Sequence, residues 1–254
     1  MTNYDRYNRE ERAICSHLFR LLHESLNRKF DSPFGQVINL IMARNVKFYN
    51  VQEVSNYPVF ENIGVYTEVA IIRDYYKKNS SNPYRFLDDL VTLIMKQEKI
   101  TGDCKKYSEL SELGNGLNKP WETHPKQILL KASENNLPLN LNERKVYGAI
   151  QGMFNAKPDL VLTIDNKLIV IEAKFTEKFD QGQLERTSKI AQVWSELLFS
   201  EFGFRNKPEY AIVKLGASKY NPDIAWEDIC NIGNMTYPSD DRSRIAFNVG
   251  IDLL

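Results

Sequence analysis

Three charged residues in the C-terminal half of the chain have the types and spacing of a metal-dependent hydrolytic site. Asp159 precedes one apolar run, and Glu172 and Lys174 follow the next. Mg²⁺ prefers oxygen ligands, and one or two carboxylates with water and a substrate phosphate satisfy it. A bound divalent ion lowers the pKa of water to produce a nucleophile, and a lysine can neutralise developing charge. These residue types predict phosphodiester hydrolysis, with Asp159 and Glu172 as metal ligands.

A short β-hairpin would bring these residues together. Asp165-Asn166 separates the two apolar runs and suits a type I′ turn, in which both central residues need a positive φ. A two-residue loop fixes the register and places Asp159 opposite Glu172, with Cβ atoms about 4.5–5.5 Å apart. Lys174 points to the same side, because strand side chains alternate. Facing carboxylates repel each other, so a cation is expected between them.

These residues also carry a family resemblance. Pro158-Asp159 followed by Glu172-Ala173-Lys174 resembles the motif of the PD-(D/E)XK nucleases, the superfamily that includes many restriction endonucleases. The resemblance implies a Mg²⁺-dependent endonuclease, with Mn²⁺ able to substitute, that acts on DNA in restriction, repair or phage defence. It implies that Asp159, Glu172 and the Ala173 carbonyl bind metal and that Lys174 is catalytic. Many members form dimers, so a homodimer is implied as well.

The resemblance, which covers about residues 60 to 216, assigns two further catalytic positions. The family places a metal-binding acid on the preceding helix, and Glu68 fits because it lies on the apolar stripe of a predicted helix over 65–78. The other interpretation of Glu68 is an acid in the first turn of the helix that is favoured by the helix dipole. In that case Glu143 or Glu134 would be the metal-binding acid. Gln183 takes the polar position near the start of the helix after the hairpin.

The remaining elements must position this hairpin, and their periodicity predicts an α/β fold. The expected architecture is a restriction-endonuclease-like core, a mixed central sheet flanked by helices, with an N-terminal helical region. Helices are predicted at about 9–29, after Pro33, at 65–78, from the end of the polar loop 79–83 to 99, at 122–136, at 181–202, at 226–232 and after a capping Ser239. Strands are predicted at 145–150, 160–164, 168–171 and 210–215.

Two regions are predicted along the chain. Residues 1–60 form the N-terminal helical region, and residues 61–254 form the nuclease-like domain. A loop-rich insertion near 100–122 is marked by glycines and a proline. The N-terminal helices could bind DNA, dimerise or cover the sheet, and amphipathicity does not choose between these roles.

Composition excludes several classes of protein. The 33 basic and 33 acidic residues give a formal net charge of zero, so any nucleic-acid binding must use local patches. The three cysteines form no C-x-x-C pair, which argues against a zinc or iron–sulfur centre. No apolar run approaches the roughly 20 residues of a membrane span. The polar N-terminus lacks a secretory signal, so a cytoplasmic protein without a membrane partner is expected.

Two alternatives to a nuclease remain at this point. The same fold could be a catalytically silent nucleic-acid-binding or interaction module. Such modules have usually lost the Asp, Glu or Lys that this sequence retains at Asp159, Glu172 and Lys174. A metal-dependent phosphoesterase acting on a small molecule is the third possibility, which the neutral net charge leaves open.

Overall fold

The computed structural model describes residues 3–26, 31–44, 46–51, 60–79, 81, 83–112, 123–134, 137–175 and 178–254. The helices are α1 (Asn3–Glu24), α2 (Pro33–Ala43), α3 (Ile71–Lys78), α4 (Tyr84–Gln97), α5 (Tyr107–Glu112), α6 (Pro125–Ser133), α7 (Leu141–Asn155), α8 (Gln181–Leu197), α9 (Trp226–Thr236) and α10 (Arg242–Leu253). The strands are β1 (Phe48–Tyr49), β2 (Gly64–Thr67), β3 (Leu160–Ile164), β4 (Lys167–Ala173), β5 (Glu209–Gly216) and β6 (Ile224–Ala225).

The strands of the described chain form one mixed sheet. Its order is β1-β5-β4-β3-β2, and β6 pairs with β5 beside β1. Strands β2, β3 and β4 are antiparallel neighbours, whereas β4 and β5 run parallel. A parallel pair requires a crossover, and α8 lies within the connection from β4 to β5. The prediction of an α/β fold with a mixed sheet flanked by helices is confirmed.

The hairpin of β3 and β4 has the predicted register but a different turn. Ile164 pairs with Lys167, which leaves Asp165 and Asn166 as the two-residue loop. Asp165 has a φ of 52°, but Asn166 has no positive φ, so the predicted type I′ turn is wrong. Asp165 is held from outside the hairpin, because its Oδ1 accepts the Glu61 N–H at 2.7 Å and its own N–H donates to the Glu61 carbonyl at 2.6 Å.

One face of the sheet carries the main hydrophobic core. Leu160, Leu162, Ile169 and Ile171 are buried there with Val213. The covering side chains come from α1, α2, α9 and α10, and include Leu18, Leu22, Phe34, Ile38, Trp226, Ile229 and Phe247. Of the three roles left open for the N-terminal helices, covering the sheet is therefore one that they perform.

The opposite face carries the alternate residues of the same strands. Val161, Val170 and Glu172 belong to it because strand side chains alternate. The first half of α8 reaches this face, since Gln183 and Thr187 both donate hydrogen bonds to Glu172. Helix α8 ends at Leu197, and a 3₁₀ helix over Phe199–Phe202 follows it, so the predicted helix over 181–202 is correct in place but continuous only to 197.

Two predicted elements before the hairpin are wrong. The segment 145–150, predicted as a strand, lies inside α7. Asn140 and Glu143 form a capping box, in which the Asn140 side chain accepts the Glu143 N–H and the Glu143 carboxylate accepts the Asn140 N–H. The segment 65–78, predicted as one helix, divides into strand β2 and helix α3, because the β-branched and aromatic residues at 65–67 pair with β3.

The C-terminal helix starts later than predicted. Asp241, rather than Ser239, is the N-cap of α10, and its carboxylate accepts the Ser243 N–H at 2.7 Å. Arg20 of α1 donates to both carboxylate oxygens of Asp241, at 3.0 and 3.2 Å. This bidentate pair joins the first helix of the chain to the last.

The chain divides into two compact units. The first comprises residues 1–69, 157–191 and 199–254 and contains the sheet; the second comprises 70–156 and 192–198 and is helical. The boundaries of these units differ from those of the predicted regions 1–60 and 61–254. The predicted loop-rich insertion contains the short helix α5, and its residues 113–122 lie outside the described residues. Within the described chain, no helix is both long and apolar enough to cross a membrane.

Candidate functional site

One edge of the sheet collects the charged residues singled out in the sequence. Strand β2 ends there, β3 begins there and β4 ends there, because these strands are antiparallel neighbours. The positions just beyond the paired residues are Glu68 after β2, Asp159 before β3 and Lys174 after β4. Glu172 lies one residue before the end of β4, within the ladder that β4 forms with β5. The sheet alone therefore brings these positions to one edge.

Asp159 reaches across the hairpin to β4. The last pair of the ladder joins Leu160 to Ile171, so the next position places Asp159 opposite Glu172. The Oδ2 atom of Asp159 accepts the backbone N–H of Ala173 at 2.9 Å. This bond fixes a half-buried carboxylate beside the strand that carries Glu172.

Glu172 is the most enclosed of the charged residues at this edge. Only 3% of its surface is exposed. The Thr187 hydroxyl donates to Oε1, and the Gln183 side-chain amide donates to Oε2 at 2.7 Å. Both donors lie on α8, one turn apart, so a single helix face holds the two oxygens of the carboxylate.

The surroundings of Glu172 oppose its ionisation. Burial is the largest cause, and together with the negative charge of Asp159 it raises the pKa of Glu172 to about 7. The hydrogen bond from Thr187, the charge of Lys174 and the hydrogen bond from Gln183 act in the opposite direction on this pKa. Asp159 and Lys174 therefore both lie close enough to the Glu172 carboxyl group to influence its pKa.

Lys174 has a backbone that is fixed on both sides. Its N–H donates to the Leu215 carbonyl of β5 at 2.8 Å, and its carbonyl accepts the Trp226 indole N–H at 3.1 Å. Trp226 is fully buried and packs edge-to-face against Phe175. A buried aromatic anchor therefore holds the strand end from which the half-buried Lys174 side chain extends.

Glu68 lies at the correct edge but not on a helix. The backbone N–H of Glu68 donates to the Asp159 carbonyl at 3.4 Å, which extends the β2–β3 pairing by one residue. Its φ of 47° turns the chain out of the sheet, and its exposed carboxylate pairs with the Lys157 ammonium at 3.5 Å. The prediction that Glu68 is an acid on a helix is wrong, because the strand continues to Thr67 and α3 begins only at Ile71.

The two replacements for Glu68 lie in the helical unit. Glu143 is 1% exposed and completes the capping box of α7, and it also accepts the Lys105 N–H at 3.0 Å. Glu134 is the exposed C-cap residue of α6. The Glu143 carboxylate therefore caps the N-terminus of α7.

The sheet edge offers few side chains that could hold a metal ion. No group of three or more His, Cys, Asp or Glu side chains in the described residues is placed to hold a metal ion. The edge offers two neighbouring carboxylates, Asp159 and Glu172, and oxygen-only donors of this kind suit Mg²⁺ better than zinc. Because Mg²⁺ keeps several waters and takes substrate phosphate oxygens, such a set is compatible with its binding.

Thr187 is the residue of this site to which the sequence assigned no role. It lies on the apolar stripe of α8, where a threonine is most simply a small core residue. Its position four residues after Gln183 is the signal that could have identified it, since residues i and i+4 share a helix face.

Comparison of the chain with models of known protein families, with characterised proteins and with solved structures finds no match.

Proposed function

We propose that this protein is a Mg²⁺-dependent nuclease that hydrolyses phosphodiester bonds in DNA, with a restriction-endonuclease-like core. The observation that carries the proposal is the pair of Asp159 and Glu172 at one sheet edge, in a register fixed by a two-residue loop. Asp159 contributes to the raised pKa of Glu172. Two acids held together against their mutual repulsion suit a cation-binding role.

The residues that would hold Mg²⁺ are Asp159, Glu172 and the backbone carbonyl of Ala173. When bound, Mg²⁺ supplies a Lewis acid for the phosphoryl oxygens and lowers the pKa of a water molecule. Glu68 stays a candidate ligand through its place at the same edge, although its carboxylate pairs with Lys157 in this structure.

The other side chains have separate tasks in the proposed reaction. Thr187 and Gln183 orient the Glu172 carboxylate by one hydrogen bond to each oxygen. Lys174 lies beside the acids and lowers the pKa of Glu172, so its ammonium favours the ionised carboxylate. The same positive charge can orient the attacking water or neutralise charge that develops on the phosphate.

A catalytically silent nucleic-acid-binding module is the second candidate. It is favoured by the small ligand set, because both oxygens of Glu172 already accept hydrogen bonds from the protein. In that case Glu172 would be a buried acid that is protonated below about pH 7 and accepts hydrogen bonds from α8.

A cleavage assay tests the proposal. The purified chain is incubated with supercoiled plasmid, single-stranded DNA, RNA and bis(p-nitrophenyl) phosphate, each with Mg²⁺, Mn²⁺ or EDTA. We expect DNA cleavage that requires the metal and falls by at least about 100-fold in Asp159→Ala and Lys174→Ala, as for loss of a major electrostatic group. Glu185→Ala, which alters an exposed acid on α8, serves as the matched control and should retain activity.

Each other result has a defined meaning. Nucleic-acid binding without cleavage supports the silent module, and cleavage of only the small ester supports a phosphoesterase. Cleavage that Asp159→Ala leaves unchanged comes from another site or another protein, and it overturns the proposal.

A further inference from the structure

Lys214 is a second lysine that the sheet places beside the proposed site. The parallel ladder of β4 and β5 pairs Lys214 with Glu172. Its chain neighbours Val213 and Leu215 are buried in the main core, so the Lys214 side chain lies on the opposite face, which is the face of Glu172. It is a charged residue in the otherwise apolar interior of a strand.

The backbone of Lys214 is held by Asp223. The Oδ2 atom of Asp223 accepts the Lys214 N–H at 2.8 Å, and the Asp223 N–H donates to the Lys214 carbonyl at 3.0 Å. Both bonds use main-chain atoms of residue 214. The lysine side chain is therefore not needed to keep this end of β5 in place.

The Lys214 ammonium group has partners among the described residues, but they are too far away to accept hydrogen bonds from it. Its Nζ lies 3.8 Å from Oδ1 of Asp223, which is longer than a hydrogen bond, and 5.9 Å from the centre of the Phe179 ring. The side chain is one-third exposed. A lysine ammonium carries three donors and suits phosphate oxygens as a compact positive charge.

The position relative to Lys174 indicates what these donors could bind. Lys174 follows the end of β4, and Lys214 lies near the end of β5. Because these neighbouring strands are parallel, the two lysines lie at the same end of the sheet. Such strands are about 4.8 Å apart. A nucleic-acid backbone that meets the proposed metal site therefore passes within reach of a cation on the next strand.

We propose that Lys214 binds a non-bridging oxygen of a backbone phosphate that neighbours the scissile one. This inference rests on the proposed nuclease function and deepens it, because it names the path of the substrate across the sheet edge. Asp223 keeps the ammonium on that face, and Phe179 lies beside it. Lys214 is thus a substrate-positioning residue.

Lys167 provides a matched control. It lies on β4, and its Nζ is 3.4 Å from Oε2 of Glu209 on β5. Lys167 is thus a lysine of the same sheet with a carboxylate partner, as Lys214 is with Asp223, which lies just before β6. It lies at the opposite end of β4 from Lys174. Lys167→Met and Lys214→Met remove the same charge from the chain, but only the second removes it near the proposed site.

The experiment measures binding and cleavage with the full chain. Fluorescence anisotropy follows a labelled 20-base-pair DNA duplex in EDTA between 50 and 300 mM NaCl, and initial rates in Mg²⁺ give KM and kcat. For Lys214→Met we expect a salt-dependence slope of log K smaller by about 0.9, as for one lost phosphate contact. We expect KM to rise about fivefold, with kcat changed less than about twofold, as for loss of binding shared by ground and transition states.

The controls separate the possible outcomes. Lys214→Arg should keep the wild-type slope, because it keeps the charge, and Lys167→Met should keep both the slope and KM. A wild-type slope and KM in Lys214→Met, in a chain that cleaves DNA, overturns the role of Lys214 and leaves the proposed function standing. An equal change in Lys167→Met also overturns it, because the effect then reflects net charge. Absence of cleavage by the wild-type chain overturns the proposed function itself.

Discussion

Glu172 shows how one helix can hold an acid in a position that otherwise disfavours its charge. Burial and Asp159 raise its pKa to about 7, whereas Thr187 and Gln183 donate hydrogen bonds that lower it. The folded state therefore binds a proton that the unfolded state releases above its ordinary pKa of 4.5. The contribution of Glu172 to stability is therefore largest while Glu172 is protonated, and it decreases as the pH rises from about 4.5 to about 7.

Thr187→Val tests this balance at a single hydrogen bond. Valine keeps the shape of threonine but removes the hydroxyl that donates to Glu172 Oε1. We expect a loss of about 1 kcal/mol in the free energy of unfolding at pH 5, where the acceptor is neutral. At pH 8 the acceptor is charged, and the loss should rise to about 2–3 kcal/mol. Urea unfolding in EDTA at the two pH values measures both quantities.

Thr187→Ser is the control for this measurement. It keeps the hydroxyl and removes one methyl group, so it should cost about 0.8 kcal/mol at both pH values. Equal losses for Thr187→Val at pH 5 and pH 8 would mean that Glu172 does not change its ionisation over this range.

At the scale of the element, a helix cap identifies the conformation of a segment for which the hydrophobic pattern is ambiguous. The segment 145–150 contains Val146, Tyr147 and Ile150, which are compatible with a strand, and the structure buries all three on α7. The decisive local signal is Asn140 three residues before Glu143, the pattern of a capping box. The same box explains why Glu143, a candidate metal ligand by sequence, has a structural role.

Asn140→Ala measures the contribution of this cap. The substitution removes the side-chain oxygen that accepts the Glu143 N–H at 2.9 Å. We expect the free energy of unfolding to fall by about 1 kcal/mol, the usual cost of losing an N-cap. The adjacent Leu141 is 86% exposed, so Leu141→Ala should change this free energy by less than about 0.5 kcal/mol. A similar effect of both variants, measured by urea unfolding, would contradict the capping role.

The hairpin was predictable because its register depends on short-range information. Two apolar runs around a two-residue loop leave one register, and that register places Asp159 opposite Glu172. The turn type was not predictable, because Asp165 is fixed by contacts with Glu61, more than a hundred residues away. The strand β2 was missed for a similar reason, since its pairing with β3 is a long-range contact.

At the scale of the whole molecule, the sheet edge is where distant segments meet. Glu68 and Asp159 are neighbours through β2 and β3, and Glu172 and Lys214 through β4 and β5. The sequence predicted the strands 160–164, 168–171 and 210–215 but not their order in the sheet. Lys214 and Asp223 therefore carried no signal at the sequence level, because their relation to Glu172 exists only once β5 is placed parallel to β4.

Metal binding at this edge should stabilise the entire fold. An ion that binds the folded state and not the unfolded state adds about 1.4 kcal/mol at a concentration ten times its dissociation constant. For a chain of this length such a gain corresponds to a rise of about 3–6 °C in Tm. We therefore expect 10 mM MgCl₂ at pH 8 to raise the Tm of the wild-type chain relative to EDTA at matched ionic strength. Asp159→Ala should lose this rise, because it removes one of the two carboxylates, whereas Glu185→Ala should keep it. An equal rise in Asp159→Ala would mean that the ion binds elsewhere. The facing acids Asp159 and Glu172 would then not bind the cation that their mutual repulsion led us to expect.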